Sequence, residues 1–124
     1  MNNISKEPWK LGMEYEYIVS NFLRLRHQLI PYLYTMNRKT AKDGIPLIRP
    51  MYHIYPQENS AYSVPNQYFF GSELMVCPIT SKIDALTRMG EITAWLPKGK
   101  WTDIFTGVTY EGGRSVKLFR RTDS

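Results

Sequence analysis

With 124 residues, 43% of them apolar, the chain can bury a sizeable core as one ordinary domain or two partial ones. Its net charge of +5 is scattered over Arg24, Arg26, Arg38, Lys39, Lys42, Arg114, Lys117, Arg120 and Arg121, without a run of five like charges. That pattern argues against a nucleic-acid footprint and for a solvated basic surface.

No stretch approaches the ~18 apolar residues of a membrane span, and the segment from Met1 to Glu7 has no apolar signal core. The single cysteine, Cys77, sits in the apolar run Leu74-Met75-Val76-Cys77-Pro78. It has neither a disulfide partner nor a CxxC spacing for metal, and reads as a small buried hydrophobe. A reducing, cytoplasmic setting is expected. Nine Tyr, five Phe and three Trp suit stacking on sugar faces, but aromatic rings first of all fill cores.

In chain order, the first nine residues read as coil ending in Glu7-Pro8-Trp9. From about Met13 the apolar positions Tyr15, Ile18, Val19 and Phe22 fall at helical spacing. Leu25, Leu29, Tyr32, Leu33 and Met36 continue the stripe. Pro31 lacks an N–H and must kink or restart the helix, and Gly44 is placed to end it.

The run Ile45-Pro46-Leu47-Ile48-Arg49-Pro50-Met51 predicts a short strand buried on both faces. Residues 52–65 read as a loop, and Asn66 to Gly71 as one helical turn or a bend. Thereafter Leu74–Val76, Glu91–Leu96, Trp101–Phe105, Val108–Tyr110 and Ser115–Phe119 predict strands separated by glycine turns. The expected class is α+β, helical first and then an antiparallel sheet of a partial sandwich, with a boundary near Gly71 to Pro78. A sheet ending at Phe119 reads as unfinished, so a segment of a larger protein is expected.

The chemistry-bearing residues form no evident constellation. A retaining glycosidase needs two carboxyls about 5 Å apart. The acids available are Glu7, Glu14, Glu16, Asp43, Glu58, Glu73, Asp84, Glu91, Asp103, Glu111 and Asp123. Glu14 and Glu16 are two apart on a helix and point away from each other. Asp43 precedes a helix-ending glycine, and Glu73 and Asp103 lie at strand edges. Of the two histidines, His27 reads as a structural residue in mid-helix, whereas His53 follows the proline-bracketed strand. Strand ends face the active site in barrels, but His53 has no Ser, Cys or metal-spaced partner. From these residues no catalytic, substrate-binding or metal-ligating role is assigned.

Five phrases in register carry a family resemblance. They are the helix Leu23-Arg24-Leu25-Arg26-His27-Gln28-Leu29-Ile30-Pro31-Tyr32-Leu33-Tyr34-Thr35 and the strand Gly44-Ile45-Pro46-Leu47-Ile48-Arg49-Pro50-Met51. Then come Gln67-Tyr68-Phe69-Phe70-Gly71, Leu74-Met75-Val76-Cys77-Pro78-Ile79, and Trp95-Leu96-Pro97-Lys98-Gly99-Lys100-Trp101-Thr102-Asp103. Together they resemble glycoside hydrolase family 31.

The resemblance implies a parent enzyme with a (β/α)8 barrel and β-rich C-terminal domains. Such an enzyme hydrolyses α-glucosides or α-xylosides with retention, through two Asp residues and without a metal or organic cofactor. It further implies that residues 1–73 are the end of that barrel and 74–124 the start of the β-domain that follows. The family's nucleophile and acid/base lie upstream of the matching phrases, and its substrate-contacting His falls where this chain has Asn2, Asn3, Ile4 and Ser5. None of the family's functional residues is therefore carried onto this sequence.

The implied partners are an α-linked oligosaccharide for the parent, and self-association or the rest of the parent for this chain, with neither nucleic acid nor membrane. The competing reading is an independent carbohydrate-binding or structural β-module.

Overall fold

Two helices open the structure, and the sequence explains where each begins and ends. A single 3-10 turn, Pro8–Lys10, leads to Gly12, whose φ of +92° turns the chain into α1, Met13–Gln28. Glu14 and Glu16 lie in the first turn of α1, and Arg26 and His27 in its last. Glu14, Glu16 and Arg26 each carry the sign that the helix dipole favours at their end. The pyrrolidine of Pro31 cannot donate to the preceding turn, so α1 stops and α2, Ile30–Asp43, starts one residue later. Leu29 bridges the break, donating to Leu25 O at 3.1 Å and accepting from Leu33 N at 2.9 Å. Gly44, at φ +68°, follows the last residue of α2, as its position predicts.

This computed structural model describes residues 7–121. The chain forms two compact units, Met1–Asp43 and Gly44–Ser124. The boundary expected at 73/74 lies inside the second unit.

The second unit carries seven strands in three antiparallel sheets among the described residues. The first sheet has the order β1 (Ile48–Pro50), β2 (Tyr68–Phe70), β3 (Leu74–Val76). The second is the ribbon of β4 (Gly90–Leu96) with β7 (Arg114–Arg120), in register from Gly90↔Arg120 to Leu96↔Arg114. The third pairs β5 (Lys100–Thr102) with β6 (Thr109–Glu111). Helices first and antiparallel sheets afterwards make the chain α+β, as its pattern predicts.

Three local expectations are corrected. The first concerns β1, which is an edge strand pairing only with β2 among the described residues, and whose Ile48 is 56% exposed. Pro46 and Pro50 have no N–H to offer a second neighbour, which confines the run to an edge. Second, residues 52–65 are not wholly loop: α3 (Met51–Ile54) runs into them and α4 (Asn59–Tyr62) lies within them, each a single turn. Four residues are too few to show a helical period. What the two turns have is burial, since Met51 and Ala61 are each only 1% exposed. Third, the Tyr68-Phe69-Phe70 run is a strand, in keeping with the aromatic preference for pleated surfaces, and Gly71 at φ +74° turns out of it.

The core of the second unit is built from Met51, Ala61, Phe69 and Trp95, with Ile54, Tyr55, Val64, Met75 and Trp101 packed around it. Its rings meet at angles that suit their quadrupoles. Tyr55 stands edge-on to Trp95 at 5.5 Å, and Phe69 tilts against Trp101 at 6.1 Å. Burying a ring of this size stabilises by roughly 1.5–3 kcal/mol, so Phe69 and Trp95 are principal contributors. The sequence expectation that aromatics chiefly fill a core holds for these residues.

Candidate functional site

A buried polar constellation lies where Gln67, next to the first sheet, meets β4. Gln67, just before β2, is 4% exposed. Its Nε2 donates to Trp95 O at 2.6 Å and to the Met75 sulfur at 2.9 Å, and its Oε1 accepts from Trp95 N at 3.0 Å. In the β4–β7 register Trp95 lies opposite Ser115, and the hydrogen bond from Gly113 N goes to Leu96 O. The N–H and C=O of Trp95 therefore face away from β7. The amide of Gln67 takes the place of a neighbouring strand there, satisfying both buried backbone groups at once. A glutamine can do this because it carries a donor and an acceptor on one plane.

The Trp95–Asp103 phrase is a second structural device. Trp101 Nε1 donates to Pro97 O at 2.8 Å. Gly112 N donates to Gly99 O and Gly113 N to Leu96 O, each at 2.7 Å. Asp103 Oδ1 accepts from Phe105 N at 2.9 Å and Thr106 N at 3.4 Å, and its other oxygen pairs with Arg120. Asp103 thus ends β5 early, which is why the strand predicted to reach Phe105 stops at Thr102.

The other acids are similarly placed. Glu7 pairs with Lys10 and Glu91 with Lys117, each at 3.5 Å, on the surface where such pairs contribute little. Asp84 Oδ1 accepts from Thr87 N at 2.7 Å and from Leu86 N and Thr87 Oγ1 at 3.0 Å. The two bonds from Thr87, then that from Leu86, hold the Asp84 carboxyl below the usual carboxylate range. Glu14 and Glu16 belong to the first turn of α1, Asp43 ends α2, Glu58 precedes α4, and Glu111 ends β6. Glu73 lies between β2 and β3.

His27 Nδ1 lies 3.3 Å from Leu23 O, one turn back in α1, and His53 is exposed on α3. Cys77 is partly buried, which pushes its thiol up to about 11. Among the described residues no three His, Cys, Asp or Glu side chains gather where a metal could bind. Asp123 and the stretch Asn2, Asn3, Ile4, Ser5 lie outside the described residues.

The structure brings together Gln67, Trp95, Met51 and Met75, which sequence reasoning did not connect. In the sequence Gln67 stands out only as part of the phrase Gln67 to Gly71, and nothing local to it signals a partner 28 residues away. A lone Gln before an aromatic strand was the available hint.

An α+β chain with an aromatic core and a tight glycine-locked Trp hairpin defines the class: a β-rich domain preceded by a helical pair. Residues 44–123 match the family model described as glycosyl hydrolase family 31 C-terminal domain, and residues 1–36 match that of the family 31 TIM-barrel domain. The chain belongs to glycoside hydrolase family 31.

Among its relatives, α-glucosidase 2 of Bacillus thermoamyloliquefaciens is 35% identical over 109 residues, which cover 88% of this chain and 13% of that protein. An α-xylosidase of Saccharolobus solfataricus is 34% identical over 114 residues, covering 91% of this chain and 15% of the relative. Among solved structures, a family 31 α-xylosidase from a soil metagenome, complexed with xylose, superposes with a TM-score of 0.82 at 28% identity, over 97% of this chain and 17% of the other. A Flavobacterium johnsoniae dextranase mutant complexed with isomaltotriose gives 0.85 at 27%, over 99% and 15%. The chain thus spans only about one-seventh of the length of these two curated relatives.

Proposed function

We propose that this chain serves as a non-catalytic part of a retaining α-glycosidase that hydrolyses α-linked glucosides or xylosides, and that by itself it is inactive. The relatives named above are an α-glucosidase and an α-xylosidase, and the solved relatives hold xylose or isomaltotriose. The observation that carries the second half is how the carboxylates are used. Asp84 and Asp103 are tied into turns, Glu7 and Glu91 into surface ion pairs, and Glu14 and Glu16 sit at a helix start. Double displacement needs one carboxylate free to attack and a protonated one to give up its proton, on opposite sides of one bond.

The first unit supports the larger-assembly reading. Met36 is its only buried residue among those described, while Met13 is 87% and Tyr34 74% exposed. A helical pair with so little inside falls far below the apolar burial that stabilises a free domain. Further chain of the same enzyme, or a second copy of this one, is the proposed cover. The lone, partly buried thiol of Cys77 supports a cytoplasmic setting, and the scattered basic residues favour neither nucleic acid nor membrane as a partner.

The test is to express the entire reading frame that encodes these residues and assay it on aryl α-glucoside and aryl α-xyloside. Proton NMR then follows the first anomer released. Turnover with the α-anomer appearing first is expected. No turnover on either substrate, or release of the β-anomer, would remove the proposal.

A further inference from the structure

The 81–89 loop lies against the open end of the β4–β7 ribbon and borders a half-open surface hollow of about 440 Å³. That size falls within the roughly 300–1,000 Å³ of small-molecule pockets. Its lining includes Ser81, Lys82, Asp84, Thr87, Glu91 and Phe119.

The loop is fixed on both sides. Asp84 N donates to Met89 O, Arg88 N to Asp84 O, and Ser81 Oγ to Glu91 O. Phe119 is the register partner of Glu91 and is 49% exposed, so a ring stands open beside a carboxylate. Asp84 spends Oδ1 on the turn, and its Oδ2 accepts no hydrogen bond among the described residues. Lys82 makes no ion pair among the described residues.

One open aromatic face, carboxylate acceptors and an unpaired ammonium donor, with hydroxyls at Ser81 and Thr87, make up the chemistry that a sugar ring requires. Its C–H face packs on an arene while its hydroxyls donate and accept at the rim.

We propose that this hollow is an accessory carbohydrate subsite that takes one pyranose of an α-linked glucan, stacked on Phe119 with Lys82 and Asp84 at its hydroxyls. The proposal rests on the reading that the enzyme handles α-linked oligosaccharides. It adds a place where a long chain is held without being cut.

The test is affinity electrophoresis of the complete protein in gels containing dextran or soluble starch, with Phe119→Ala and Lys82→Ala beside it. Circular dichroism checks the fold, and aryl α-glycoside hydrolysis is measured separately. Retardation by at least one glucan is expected, weakened about tenfold by Phe119→Ala and about threefold by Lys82→Ala. Glucan retardation equal in all three proteins overturns the subsite. So does absence of retardation in an enzyme that hydrolyses the aryl substrate. If neither retardation nor hydrolysis occurs, the functional reading falls together with the subsite. If Phe119→Ala fails to fold, undiminished retardation of Lys82→Ala overturns the proposal alone.

Discussion

Replacing Gln67 by Leu keeps most of its volume and deletes both hydrogen bonds to the backbone of Trp95. The N–H and C=O of Trp95, lying 3.0 and 2.6 Å from the amide, would be left without those partners in a core where Trp95 is 7% exposed. Each unsatisfied buried group costs about 1–3 kcal/mol, so the pair should cost about 2–6 kcal/mol. The amide's hydrogen bonds to the Met51 and Met75 sulfurs are lost as well and add little, because a thioether is a weak acceptor. For a unit of this size each kcal/mol lowers the melting temperature by about 4–8 °C, so a fall of at least about 8 °C is expected. Tryptophan fluorescence follows the melt, and hydrogen exchange reads the amide of Trp95 directly. Gln67→Glu should do no better. It keeps an acceptor for Trp95 N but loses the donor to Trp95 O and places an acid in the core. A loss under about 1 kcal/mol in both variants, with Trp95 still protected, would refute the idea that Gln67 stands in for a strand.

Three further outcomes follow from the same geometry. Gly112→Ala should abolish soluble yield or cost more than about 2 kcal/mol, because a Cβ there would overlap the backbone carbonyl of Pro97; a melt within a few degrees of the parent would contradict this. Cys77 should react with iodoacetamide at pH 8 about a hundredfold more slowly than a thiol of pKa 9.0, because burial raises it to about 11; labelling at the rate of a free thiol would show that it is not buried. The same shift fixes a sign: the unfolded thiol loses its proton first, so stability is full below about pH 9 and declines as pH rises from about 9 to 11. Cys77→Ala should remove that alkaline decline, as chemical denaturation at pH 8 and pH 10.5 would reveal.

The elements that follow from short-range rules were legible in the sequence. The break at Pro31, the end of α2 before Gly44, and β3 at Leu74–Val76 each rest on a residue that restricts its own backbone or on a compact apolar run. The structural role of Asp103 emerged only with Arg120 in place, because their ion pair joins residues 17 apart. Likewise α3 and α4 depend on the burial of Met51 and Ala61, which no periodicity over four residues could announce. A change of texture near residue 73 suggested a boundary, yet β1, β2 and β3 form one sheet across it. Antiparallel pairing across a tight Gly71 turn is cheap in chain entropy and leaves little compositional trace. The Gln67 bridge lies furthest from sequence reasoning, since its worth depends on two backbone groups 28 residues away.

The central proposal is that these residues are part of a glycosidase without supplying its carboxylates. The direct measurement is hydrolysis of aryl α-glucoside and aryl α-xyloside by the 124-residue chain alone. The account predicts release indistinguishable from buffer, both alone and after every soluble fraction is tested by sedimentation. Turnover clearly above buffer, abolished by changing a single Asp or Glu of this chain to its amide, would contradict it.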